Sequence, residues 1–111
     1  VKIPPATATD ARRSQVSVIL INPFEVPAGT DDDEFLRGWE RAADHLRQQP
    51  GFVATRLHRA LRPDARFRFV NVAEWSSAED FQAAVTSEEF QAIARDAGPS
   101  SPALYEVVRS I

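Results

Sequence analysis

Asn71 and Trp75 stand four residues apart in Phe67-Arg68-Phe69-Val70-Asn71-Val72-Ala73-Glu74-Trp75, a stretch whose alternation predicts a β-strand. Successive strand residues point to opposite faces, so Phe67, Phe69, Asn71, Ala73 and Trp75 share one side. A carboxamide and an indole N–H on an otherwise apolar face can both hydrogen-bond an oxygen held in a greasy pocket. The same two groups also suit an ordinary core in which each is satisfied by one neighbour. What surrounds the strand decides between these readings.

The chain has 111 residues, enough for one domain and too few for two. Its 43% hydrophobic and 26% charged content is that of a globular protein. A net charge of −3 argues against nucleic acid, which needs a concentrated basic surface. No apolar run approaches the roughly 20 residues that span a bilayer, and no charged-then-apolar leader suggests export. Without cysteine there is neither a disulfide framework nor a thiol nucleophile. The two histidines, His45 and His58, lack the spacing of a metal cage, so no metal is expected. The expected compartment is the cytoplasm.

Residues 1–14 have no period and carry two prolines, which predicts an arm outside a domain spanning 15–111. Gln15 to Asn22 reads as the first strand, with Val18-Ile19-Leu20-Ile21 apolar on both faces and Asn22-Pro23 as its end. Asp31 can cap a helix whose Phe35, Trp39, Ala42 and Leu46 share one face, with Leu36 and Ala43 at its margin. Arg37, Glu40, Arg41, Asp44 and Arg47 fall opposite as a solvated face, and His45 at the stripe's edge reads as a surface residue. The acidic run Asp31-Asp32-Asp33 suits the positive end of the helix dipole and is read as a start signal. Pro50-Gly51 stops this helix.

Phe52 to Leu61 and Phe67 to Trp75 form an antiparallel hairpin around Arg62–Arg66. Ser76-x-x-Glu79 and Thr86-x-x-Glu89 read as capping boxes opening two short helices. They turn Phe81, Ala84 and Val85, then Phe90, Ile93, Ala94 and Ala97, inward. Ala103 to Ile111 reads as the last strand. The order βαββα(α)β is a ferredoxin-like α+β sandwich. One sheet face packs on the helices; the other carries Ile19, Ile21, Val70, Val72 and Phe52, an apolar surface that calls for a homodimer with sheets face to face.

Pairing Leu61 with Phe67 puts Val53, Thr55, Leu57 and Arg59 on the side of Asn71 and Trp75. Ala54, Arg56 and His58 then join Val70, Val72 and Glu74 on the dimer side. That register brings Arg56 and Glu74 within reach of a charge pair, and it makes His58 a buried interfacial residue rather than a base.

Several stretches resemble the antibiotic biosynthesis monooxygenase superfamily of dimeric α+β barrels: 21–29 (INPFEVPAG), 49–52 (QPGF), 57–61 (LHRAL), and above all 69–81 (FVNVAEWSSAEDF) followed by Ser87-Glu88-Glu89-Phe90. The resemblance covers about residues 15–111. Haem-degrading members resemble the chain in Asn22 and Trp75 but need an iron-ligating histidine on the last helix; Phe90 to Gly98 has none, which disfavours that chemistry. Quinone-forming monooxygenases of aromatic polyketide pathways match better. They pair an Asn with a Trp four residues on, here Asn71 and Trp75, and add an Arg on the last helix, for which Arg95 is the candidate. A tyrosine expected after the Trp is Phe81 here, and helical period turns Arg95 away from the inward stripe.

The resemblance implies a cofactor-independent monooxygenase that turns a polycyclic phenolic or anthrone-type polyketide intermediate into a quinone, with O2 as co-substrate and no metal, flavin or haem. Asn71, Trp75 and Arg95 would be catalytic. Asn22, Phe35, Trp39, Phe69 and Phe81 would bind the flat substrate. A polyketide cyclase or isomerase on the same scaffold, or a non-catalytic dimeric ligand-binding protein, are the competing expectations.

Overall fold

A computed structural model describes residues 17–95 and 98–111. The expected arm, and Ala97 of the inward stripe, lie outside these residues. Four strands, β1 (Val18–Phe24), β2 (Phe52–Arg59), β3 (Phe69–Trp75) and β4 (Ala103–Tyr105), pair antiparallel in the order β2-β3-β1-β4. Three helices, α1 (Asp32–Leu46), α2 (Ala78–Val85) and α3 (Glu88–Ala94), complete the ferredoxin-like α+β fold, with the second crossover helix split in two.

The apolar run of β1 is explained by its interior place between β3 and β4. Leu20 is buried on the helix side, and Ile19 and Ile21 are half-buried on the other. The strand runs past Asn22, because Pro23 and Phe24 still pair with Val70 and Phe69. Proline is tolerated there since β4 pairing has already ended at Ile21–Ala103; the Pro23 carbonyl accepts instead from the Ser101 N–H at 3.1 Å.

Asp31 caps α1, its Oδ1 accepting from the Glu34 N–H at 2.8 Å. Asp32 does more than mark a start: it pairs with Arg68 at 2.8 Å and Arg59 at 3.5 Å, tying the helix N-terminus to the hairpin. After α1 the chain reverses at Gly51, whose φ of +86° favours glycine. A side chain there would also overlap Asp80, and the Gly51 carbonyl accepts from Ser76 N–H at 2.7 Å.

That last bond corrects the first capping box. Ser76 is held to Gly51 as the continuation of β3, so the cap moves on to Ser77, whose Oγ accepts from Asp80 N–H at 3.1 Å. The second box shifts by one for a similar reason. Thr86 closes α2 by donating to the Gln82 carbonyl at 2.7 Å, and Ser87 caps α3 by accepting from Phe90 N–H at 3.1 Å.

The β2–β3 register has Leu57 opposite Asn71 and Thr55 opposite Ala73, as the Leu61–Phe67 pairing predicts. It slips between Phe52 and Ala54, where a bulge sets Phe52 opposite Trp75. The slip reverses two expectations: Phe52 faces the helices and Val53 is 50% exposed. The strands also end sooner, β2 at Arg59 and β3 from Phe69, so Phe67 leaves the ladder and lies beneath the Arg66 guanidinium at 5.0 Å. β4 likewise stops at Tyr105, with residues 106–111 exposed and outside any strand. Arg56 lies opposite Val72, and among the described residues it forms no ion pair with Glu74. His58 is exposed in the single chain, on the sheet face away from the helices, with Nδ1 3.2 Å from the Val70 carbonyl oxygen. His45 is half-buried rather than on the surface, its ring 6.3 Å from that of Phe90.

The helix-facing core falls into two clusters. Leu20, Ala73, Trp75, Phe81 and Ala84 form one; Phe24, Phe35 and Phe69 form the other. On the helix-facing side of β1 and β3 one residue on each strand stands between them, Asn22 and Asn71.

Candidate functional site

A cavity of about 640 Å³ lies between α1, the α2–α3 segment and the sheet. That volume suits a polycyclic ligand. Its wall is mostly apolar. Phe35, Trp39, Ala42, Ala43 and Leu46 contribute from α1; Leu20, Phe24, Phe52, Ala73 and Trp75 from the sheet; and Phe81, Val85, Phe90 and Ala94 from the later helices.

A narrow polar belt crosses the sheet side between the two core clusters. Asn22 and Asn71 are direct cross-strand partners and so share a face, with Thr55 on the next strand. All three line the cavity. Asn71 is 8% exposed and is the only polar residue buried among the described residues. Its Oδ1 accepts from the Thr55 hydroxyl at 2.6 Å. This bond orients the amide: with oxygen turned to Thr55, the Nδ2 donors have no protein partner among the described residues. Asn22 carries the opposite deficit, because its Oδ1 is buried with nothing bonded to it. An acceptor in that state calls for a donor from water or ligand.

Trp75 lies four residues along β3 from Asn71, within the first core cluster. It is 1% exposed, with Phe52 and Phe81 edge-on to its ring at 5.4 and 5.6 Å. These T-shaped contacts fix the indole plane, and its N–H has no hydrogen-bond acceptor among the described residues. Phe81 stands where the resemblance would place a phenol, and it packs against Trp75 as a purely apolar wall.

Two expected site residues stand elsewhere. Phe69 is 1% exposed and lies behind the cavity, its ring stacked on Phe35 at 4.4 Å. It backs a wall residue and is not itself in the wall. Arg95 is the exposed C-cap of α3 and also lies outside the wall, on the side to which the helical period turns it.

Other residues were missed by sequence reasoning. Thr55 was placed on the correct face, but nothing in the sequence signals its bond to Asn71. Phe52 enters through the bulge. Glu34 and Arg41 are exposed, as the solvated face predicts for Arg41, and both also line the cavity. The signal was available: Glu34, Gly38 and Arg41 follow a 4-3 spacing along one margin of α1.

Among the described residues no cluster of His, Asp and Glu is arranged to hold a metal, and no helix is long and apolar enough to cross a membrane.

The family model for antibiotic biosynthesis monooxygenase matches residues 17–96. Among solved structures the chain is similar to a candidate monooxygenase from Shewanella loihica PV-4, at 36% identity and a TM-score of 0.75, covering 86% of this chain and 97% of that one. It is also similar to SnoaB, a cofactor-independent oxygenase from Streptomyces nogalater, at 26% identity and a TM-score of 0.75 over the same shares of the two chains. A dimeric protein of unknown function from Bacteroides fragilis NCTC 9343 shares the ferredoxin-like fold at 15% identity and a TM-score of 0.65, covering 82% of this chain and 96% of that one. No curated protein matches the chain.

Proposed function

The chain belongs to the antibiotic biosynthesis monooxygenase family, and from that premise we propose that it is a cofactor-independent monooxygenase oxidising a polycyclic phenol of the anthrone type to a quinone. The observation that carries this reading is the Thr55–Asn71 bond at the cavity wall, which leaves an amide N–H donor free in a large apolar chamber.

In such a reaction the substrate supplies the electrons. Its reacting CH2 carbon first loses a proton, giving an anion whose charge is spread onto the ring oxygen. Hydrogen-bond donors aimed at that oxygen stabilise the anion, and do so most strongly where water is excluded. Asn71 Nδ2 and the Trp75 indole N–H are the donors proposed for it. Asn22 Oδ1 would accept from a neighbouring phenolic hydroxyl, so the belt reads one oxygen as acceptor and the next as donor. The anion passes one electron to O2 and the two radicals join as a peroxide. Loss of the second hydrogen from the same carbon, with cleavage of the O–O bond, leaves a carbonyl. One oxygen atom of O2 stays in the quinone; the other departs as water with both hydrogens. Trp39, Phe35 and Phe81 would hold the flat rings. Phe69 supports this arrangement only through Phe35, and Arg95 takes no part in it.

The acting species in this proposal is a homodimer. Ile19, Ile21, Val70 and Val72 leave an apolar sheet face on the side away from the cavity, and one protein that shares the fold is described as dimeric.

An oxygen electrode tests the reaction. With an anthrone, the protein is expected to consume one O2 per quinone formed, and no quinone should form anaerobically. Conversion of a polyketide substrate without O2 uptake would mark a cyclase or isomerase instead.

A further inference from the structure

We propose that Arg41 selects substrates that bear a carboxylate in addition to the polycyclic phenol; this inference rests on the oxygenase reading of the cavity. Among the described residues Arg41 is the single cationic side chain in the cavity wall and Glu34 the single anionic one. They lie seven residues apart on α1, about 10 Å along its axis. The helix wall is therefore polarised. An anionic substituent is repelled at the Glu34 end and drawn to the Arg41 end.

Arg41 is also free to take a ligand. Arg47 pairs with Asp44, Arg62 with Asp64, and Arg59 and Arg68 share Asp32. Arg41 has no carboxylate partner among the described residues, although Asp44 stands one turn away. Asp44 is engaged by Arg47 at 3.0 Å. Arg41 instead folds back along the helix, its Nη2 lying 3.7 Å from where a Cβ of Gly38 would be. Gly38 lines the cavity too and puts no side chain between the guanidinium and a ligand edge.

A guanidinium presents paired N–H groups that match the two oxygens of a carboxylate. A single unpaired cation balances a single negative charge. A phosphate would bring nearly two charges at neutral pH to a wall that also carries Glu34. Carboxylate is therefore the matching anion.

The test uses two ligands of equal shape already at the quinone oxidation level, anthraquinone-2-carboxylate and anthraquinone-2-carboxamide, titrated by quenching of tryptophan fluorescence. The natural chain is expected to bind the carboxylate about 10- to 100-fold more tightly than the amide, the range of a charge-assisted hydrogen bond. R41Q should erase that preference, weakening the carboxylate complex far more than the amide complex, and R41K should keep part of it by keeping the charge without the fork. Equal binding of both ligands by the natural chain, or an undiminished preference in R41Q, overturns the proposal. Oxygen uptake with a neutral anthrone fails independently if the oxygenase reading is wrong, so the two failures are distinguishable.

Discussion

The amide of Asn71 would point nowhere in particular without Thr55. The hydroxyl can donate to only one end of the carboxamide, and by taking Oδ1 it dedicates Nδ2 to the cavity. Three substitutions separate these roles. Asn71→Ala is expected to lower kcat by about 10²- to 10³-fold, the loss found when one donor to a developing oxyanion is removed. Trp75→Phe keeps most of the apolar volume between Phe52 and Phe81 but deletes the N–H, so the loss should again fall on kcat more than on KM. Thr55→Val leaves the amide in place and removes its orienting bond. It should slow turnover less than Asn71→Ala, and steady-state kinetics on the three variants would rank them. Asp32 offers a test of a different kind. Its bond to the Arg68 guanidinium holds the carboxyl below its ordinary value of 3.8. The native state thus favours the ionised form, and the stabilisation is fully present above pH 3.8 and lost as pH falls through the depressed native value. Urea titrations should show natural protein and Asp32→Asn differing at neutral pH and converging in acid.

At the scale of elements, strand and helix identity was legible because the periods are clean. β3 alternates without a break, and α1 repeats Phe35, Trp39, Ala42 and Leu46 on one stripe. Boundaries were less legible, for reasons that lie outside each element. Ser76 and Ser77 are equally good caps in isolation; the Gly51 carbonyl, 25 residues upstream, claims the Ser76 N–H and decides between them. The bulge that turns Phe52 inward has no local mark in Gly51-Phe52-Val53-Ala54. Part of the site was legible for the same reason as the strands, since the face of Asn71 and Trp75 follows from alternation. The Thr55 bond depends on a distance between two strands and could not be read from spacing. The α1–β2 connection makes its own prediction. Gly51→Ala forces a side chain into both a left-handed backbone and the volume of Asp80. A cost above the roughly 1–2 kcal/mol of the backbone conformation alone is expected in chemical denaturation. The double variant with Asp80→Gly should recover the steric part.

For the whole molecule, β3 carries two surfaces at once. Asn71, Ala73 and Trp75 meet the cavity, while Val70 and Val72 form the face proposed for the second copy. If that face closes a homodimer, Val72→Arg is expected to yield monomers in sedimentation velocity, with the charge buried against an apolar partner at no compensating contact. Truncation after Tyr105 tests whether the exposed Val107 and Val108, 65% and 67% accessible in the single chain, belong to the same interface. A smaller or concentration-dependent dimer population is expected. The alternation also governs how the chain can tolerate changes of length. An added residue in β2 is absorbed at Val53, which already projects from the ladder as a bulge. The same addition within β3, just ahead of Asn71, would carry the carboxamide to the opposite face and a valine into the chamber. One inserted codon there would remove the proposed donor and the face proposed for the second copy in the same step.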